Sequence, residues 1–365
     1  MTDAMSPLEQ DIRRRIAAAG PMPIGEYMAL CLSHPDHGYY VTQQPLGAAG
    51  DFTTAPEVSQ IFGELIGLWT VAIWQQMGSP ENVRLIELGP GRGTLMNDAL
   101  RAAHVAPAFR SAVVAHLVEI SRPLRLQQEE TLKDAGVPVF WHHALDDVPA
   151  GPSIVIANEF FDALPIHQAV NVGHEWRMRT VDVIDGKLGF GVAQTAIPHF
   201  AGTLPPAVRQ AGDGEIFEWR DDTMAFELGR RVMSGGGAAL VIDYGHSRSD
   251  AGDTFQAIAR HSFADPLKNP GQSDLTAHVD FEALTHAVET MGPKAFGPVM
   301  QARLLDSLGV QARANALKAN VPRNKAFEID SALARLTGTG RTGMGQLFKA
   351  VAFAHPNIGT PPGFE

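Results

Sequence analysis

Three glycines fall within five positions of "RLIELGPGRGTLMNDAL" (residues 84–100), straight after an apolar run and straight before a stretch of helical spacing. An apolar strand that turns into a helix through so little chain is the first half of a βαβ unit, and the sequence repeats the alternation. "SAVVAHLVEIS" is followed by "RPLRLQQEETLKDAG", then come "VPVFWHHAL", "GPSIVIANEF" and, further on, "AALVIDYGH" and "LFKAVAFAHP". Such apolar strands predict a mostly parallel α/β sheet covered on both faces.

About 80 residues precede the first of these strands, with helices expected over 7–19 and 57–77 and a Gly-, Pro- and Asp-rich segment before the second. We therefore divide the chain into an N-terminal helical or lid extension (1–80), a sheet domain (81–350) and a C-terminal tail (351–365). Insertions interrupt the sheet domain at about 170–225 and 250–335. The first carries a predicted hairpin over 175–194 that turns at Asp185-Gly186. In the second, "QAIARHSFADPLKNPGQSDLTAHVDFEAL" is expected to run from loop into a helix starting near Asp274 or Thr276.

Composition excludes several classes. No apolar run nears the roughly 18 residues of a membrane helix, and the opening "MTDAMSPLEQDIRRRIAAAG" reads as neither a secretory signal nor a mitochondrial leader, so cytoplasmic action is expected. A net charge of −11 disfavours sequence-independent nucleic-acid binding and suits a basic protein substrate. The one cysteine, Cys31, reads as a buried filler rather than a nucleophile. His34 and His37, and the adjacent pair His142 and His143, give no convergent ligand set, so no metal is expected. A Gly-x-Ser-x-Gly elbow is missing from the sequence.

The glycine spacing sorts the remaining small-ligand sites. No phosphate-loop string occurs, and the dinucleotide pattern fails because Thr94 stands at its sixth position while the third glycine comes one place early. What stands here is Glu-x-Gly-x-Gly-x-Gly: Glu87, Gly89, Gly91 and Gly93. It resembles the first motif of the class I (Rossmann-like, seven-stranded) S-adenosylmethionine-dependent methyltransferases. Glycines let backbone approach a ligand and leave N–H groups at the helix start facing it, while Glu87 is placed to hold the cofactor's amino group. Glu119, ending the next strand, is the candidate for the ribose hydroxyls. After the third strand, Asp146 or the backbone near Ala144 and Leu145 is a candidate for adenine. "NEFFDALP" ends the fourth strand and sets Asn158, Glu159 and Asp162 at the ligand crevice; acids at a helix start are the alternative for the two carboxylates, which the following "ALP" does little to support. "GDFTTAPE" reads both as a capped helix start and as a lid, which adds Asp51 and Glu57 to the catalytic candidates.

Over about residues 20–350 the chain resembles the MidA-like family, on "EYMALCLSHPDHGYY", "GDFTTAPEVSQIFGELIGLW", "NEFFDALP", "GGAALVIDYGH" and "SDLTAHVDF" beside the glycine string. Mitochondrial members of that family are protein-arginine methyltransferases needed for assembly of respiratory complex I. The resemblance implies symmetric dimethylation of an arginine in the large quinone-site subunit, with this chain a bacterial member. On that reading Glu159 and Asp162 grip the guanidinium bidentately and accept its proton. A small-molecule methyltransferase and a non-catalytic assembly factor remain alternatives, as does a homodimer.

Overall fold

The computed structural model describes residues 5–42, 54–259, 262–340 and 343–365. The chain forms two compact units, one of Thr53–Phe161, Asp222–Ser247 and Phe281–Glu365, the other of Met1–Phe52, Asp162–Asp221 and Arg248–Asp280.

The first unit is built on seven strands, which we label β1 (Val83–Leu88), β2 (Val113–Val118), β3 (Val139–His142), β4 (Ser153–Asn158), β5 (Ala238–His246), β6 (Lys294–Met300) and β7 (Phe348–Ala354). Their order in the sheet is β6-β7-β5-β4-β1-β2-β3. All pairings from β5 to β3 are parallel, whereas β7 runs antiparallel to both β5 and β6. This is the class I arrangement. The strand order reverses between β1 and β4, since β1 connects onward to β2 on one side and has β4 on the other; in open α/β sheets the crevice at that point receives ligands. The five inner strands are buried along nearly their whole length, as the absence of polar alternation in "LVEIS" and "IVIAN" anticipated, while the edge strands β3 and β6 are partly exposed.

The segment expected as one helix over 57–77 is broken. A turn at Ala55–Val58 stops at Ser59, whose backbone is extended (φ −161°), and Ser59 Oγ then accepts the Ile61 N–H to cap a new helix, Gln60–Gln76. That helix belongs with the sheet, although the sequence-based boundary set it in the extension. Gly63 and Gly67 let it lie against the Thr94–Ala102 helix so closely that a methyl group at Gly67 would meet the Ala99 backbone at 2.5 Å. The final sheet strands are separated by helices at Gln301–Ser307, Val310–Lys318 and Arg323–Thr337.

The second unit is mainly antiparallel. The hairpin Glu175–Ile184 with Lys187–Ala196 turns at Asp185 and Gly186, both with positive φ, beside the strands Met22–Pro23, Ile166–Val172 and Ile216–Arg220. Helices Pro7–Ala19 and Ile24–Ser33 cover a core of Leu8, Ile12, Tyr27, Met28, Ile166 and Val181. Cys31 is buried there, its thiol pushed up to about 12 by burial. Asp274–Thr276 is a strand rather than a helix start; it pairs with Gln256–Ala259, and the helix begins only at Phe281. The Asp and Thr that looked like caps are instead sheet residues, buried on pairing. Among the described residues no helix is long and apolar enough to cross a membrane, and no group of three or more His, Cys, Asp or Glu converges as metal ligands would.

Candidate active site

The glycine turn leaves β1 in a conformation that side chains resist. Gly89, Gly91 and Gly93 have φ of 61°, 53° and 80°, all left-handed, and Gly93 caps the Thr94–Ala102 helix. At Gly89 a Cβ would also strike the Phe160 ring at 2.9 Å. Glu87 lies just ahead of this turn, 3% exposed. Burial pushes its carboxyl up to about 8, against a weaker downward pull from the Met96 backbone N–H, while Oε2 has no hydrogen-bond partner. An uncompensated buried carboxyl is costly unless a cation arrives to pair with it. The ammonium of an amino-acid ligand meets that need, so the residues present fit the cofactor that the motif implies.

Glu119, at the end of β2, is 7% exposed, and its carboxyl is raised chiefly by burial. Its oxygens are nonetheless held as acceptors: Oε1 takes the Ser121 N–H at 2.7 Å and Oε2 the Gln128 amide at 3.1 Å. Next to it Ile120 is 54% exposed, an apolar side chain in the open where the flat face of a base would find one.

At the end of β4, Asn158 is buried with Oδ1 unpartnered, and its Nδ2 donates to Glu159 Oε1 at 3.2 Å. Glu159 stands at φ +51°, a strained conformation for a residue with a side chain and one that clusters at functional sites. Its own N–H donates to Ile242 O on β5, and its Oε1 also accepts the Ala55 N–H at 3.1 Å. The following turn is pinned by Asp243, fully buried on β5, whose Oδ2 accepts the Phe161 N–H at 3.0 Å. Sequence reasoning gave Asp243 no role, although it stands in the quoted string "GGAALVIDYGH".

Glu57 is brought to the site's edge in a different capacity. Thr94 Oγ1 donates to its Oε1 at 2.6 Å and Arg92 Nη1 approaches Oε2 at 3.2 Å, so it latches the Ala55–Val58 turn onto the glycine turn and the helix that follows it. Asp51 lies outside the described residues. Asp146 is exposed and faces Arg230 at 3.5 Å; the backbone alternatives beside it are also engaged, Ala144 N–H by Asp147 and the Leu145 carbonyl by Arg231. Asp162 opens the second unit, where its backbone carbonyl accepts from Ala277 N–H and Arg220. In that unit Tyr40 Oη donates to Asp274 at 2.9 Å, and its hydroxyl is held protonated by burial with the negative charges of Asp274 and Asp162 nearby.

Residues 65–299 match the family described as putative S-adenosyl-L-methionine-dependent methyltransferase. The chain is 37% identical over 377 residues to the mitochondrial protein arginine methyltransferase NDUFAF7 homolog of Drosophila melanogaster, covering 94% of this chain and 84% of that protein. With the human mitochondrial protein arginine methyltransferase NDUFAF7 the identity is 36%, over 87% of this chain and 77% of that one. Among solved structures, a Burkholderia thailandensis protein bound to S-adenosyl-homocysteine superposes with a TM-score of 0.85 at 28% identity, over 98% of this chain and 93% of that one.

Proposed function

This chain belongs to the family of S-adenosyl-L-methionine-dependent methyltransferases, and from that premise we propose that its methyl acceptor is an arginine of a protein, dimethylated symmetrically. We further propose that the acceptor protein is the large quinone-site subunit of respiratory complex I, modified in the cytoplasm. The observation that carries the arginine reading is Glu159, a carboxylate held at positive φ at the end of β4, beside the point where the strand order reverses. The names of the mitochondrial relatives support it.

S-adenosylmethionine supplies a methyl group already activated on a sulfonium. Glu87 Oε2 would hold its ammonium, Glu119 its ribose hydroxyls, and the backbone of Gly89, Gly91 and Gly93 would line its amino-acid end. A guanidinium is a poor nucleophile because its lone pair is delocalised and it stays protonated. Glu159 binds it, draws the positive charge away from the attacking nitrogen and takes the proton released as the N–C bond forms and the C–S bond breaks. Ala55 N–H and Asn158 Nδ2 fix the carboxylate for that task.

Glu159→Gln keeps an oxygen for Ala55 but loses the basic, charged group. Cofactor affinity is expected to stay within a few-fold while turnover falls roughly 100-fold. Both are measured together: binding by calorimetry, and methyl incorporation from labelled cofactor into the purified subunit, with peptide mass spectrometry to assign arginine and its symmetry. Asp162→Asn in the same assay decides whether that residue serves the acceptor. Wild-type turnover by Glu159→Gln, or label absent from arginine, refutes the reading.

A further inference from the structure

Gln128 is wholly buried on the Arg122–Leu132 helix, in the polar run "LQQEE", and the reaction just described gives it nothing to do. Its amide uses both of its N–H donors and accepts one bond on its oxygen. Oε1 accepts the Trp141 indole N–H from β3 at 2.9 Å, while Nε2 donates both to the Gly91 carbonyl at 2.7 Å and to Glu119 Oε2 at 3.1 Å. An indole N–H only donates, so the oxygen must face Trp141. Flipping the amide would oppose two donors at one end and crowd its oxygen against two acceptors at the other. The NH2 group is therefore fixed toward the glycine turn and the strand-end acid together.

We propose that Gln128 is a positioning residue of the cofactor site: one amide nitrogen, oriented by Trp141, sets the Gly91 turn and the Glu119 carboxylate in register, so that the amino-acid end and the ribose diol of S-adenosylmethionine are gripped at one spacing. The inference rests on Glu119 being the ribose ligand. Two helix positions earlier and later the side chains, Leu126 and Glu130, are exposed. A carboxylate accepts at both oxygens at once only when it is ionised, and it grips a diol only when held still; a buried amide donor serves both needs, favouring the charged form and removing the rotational freedom of the side chain. The Gly91 carbonyl, tied to the same nitrogen, cannot rotate the turn's N–H groups away from the ligand without breaking that bond.

The test is calorimetry of S-adenosylhomocysteine and its 2′-deoxy and 3′-deoxy counterparts on the full-length protein. Wild type is expected to favour the diol roughly 10- to 100-fold, the scale of a hydrogen bond to a charged group. Gln128→Leu should weaken S-adenosylhomocysteine about tenfold or more and reduce the preference for the diol to within about threefold. The pH at which affinity is lost on acidification should also move up, because the donor that favoured ionised Glu119 is gone. A role in packing alone would weaken all three ligands equally and leave the pH limb in place, and that result overturns the inference. Gln128→Glu and Trp141→Phe carry the test if Gln128→Leu loses its cooperative thermal transition. The first sets a like charge against Glu119 and should make affinity steeply pH-dependent near neutrality; the second frees the amide and should cost part of the diol preference. Unchanged preference in both again overturns it. Should wild type itself bind the deoxy ligands as tightly as the diol, the ribose role of Glu119 is wrong and the inference falls with it.

Discussion

Glu87 should release a proton when the cofactor site fills. With its carboxyl raised to about 8, roughly 0.9 of the ligand-free molecules carry a proton there at pH 7. An ammonium against Oε2 favours the carboxylate, so binding that lowers the value below about 5 expels about 0.9 proton per ligand at that pH. Ionising the group at pH 7 costs about 1.4 kcal/mol, one pH unit's worth, and affinity should accordingly climb about 50-fold between pH 6 and pH 8 and level off above it. The ligand-free protein shows the mirror image. Its folded state keeps a proton that the unfolded chain gives up, so this group's contribution to stability is complete below about 4.5 and is lost as pH rises through about 8. The assay is titration calorimetry with S-adenosylhomocysteine at pH 7 in buffers of low and high ionisation enthalpy, on wild type and Glu87→Gln. Any titration of the ligand's own amine is common to both proteins and cancels in the difference. Wild type is expected to release about 0.9 proton more than the variant, and the variant to lose the pH slope. Equal proton release in the two proteins would refute the pairing of Glu87 with the ammonium.

Gly91→Val puts a branched side chain at φ +53°, where the left-handed conformation costs it about 1–2 kcal/mol; S-adenosylhomocysteine binding should be lost while far-ultraviolet circular dichroism stays native, and affinity within a few-fold of wild type would remove the turn from the site. Away from the site, Glu64 is buried and accepts Arg313 through two nitrogens at 2.7 and 2.9 Å and Arg101 at 2.8 Å, tying three helices together. Arg313→Met should lower unfolding free energy by about 2 kcal/mol in urea titrations without altering cofactor affinity; a loss under about 0.5 kcal/mol would show that Arg101 alone satisfies the carboxylate.

The parts of this protein that were legible in the sequence are those encoded locally. The apolar run at 84–88 has to be a buried strand, and three glycines had to follow it because the turn needs φ of 61°, 53° and 80°, which side chains oppose. The hairpin turn at Asp185-Gly186 is legible for the same reason. Glu87 and Glu119 could be set at strand ends from the sequence because the period of each strand is readable, and strand ends are where such a sheet meets its ligand. Short-range signals misled where two conformations share one composition. "TTAPEVSQ" starts helices after both Thr54 and Ser59, so the break between them is invisible until the extended backbone at Ser59 is seen, and the polar residues at Asp274 and Thr276 serve a strand as well as a helix start.

What the tertiary structure alone decided is which distant polar groups meet. Nothing distinguishes Gln128 from Gln127 in "LRLQQEE", yet one is buried against Gly91, 37 positions away, and against Trp141. Glu57 looks like any acid in a first helical turn, and only the docking of that turn gives it Thr94 and Arg92, while Asp243 acquires the Phe161 N–H across 82 residues. Backbone conformation and burial follow from residues a few positions apart, so they leave a period in the sequence; a hydrogen bond between elements depends on how those elements pack, and packing is set by the whole core at once.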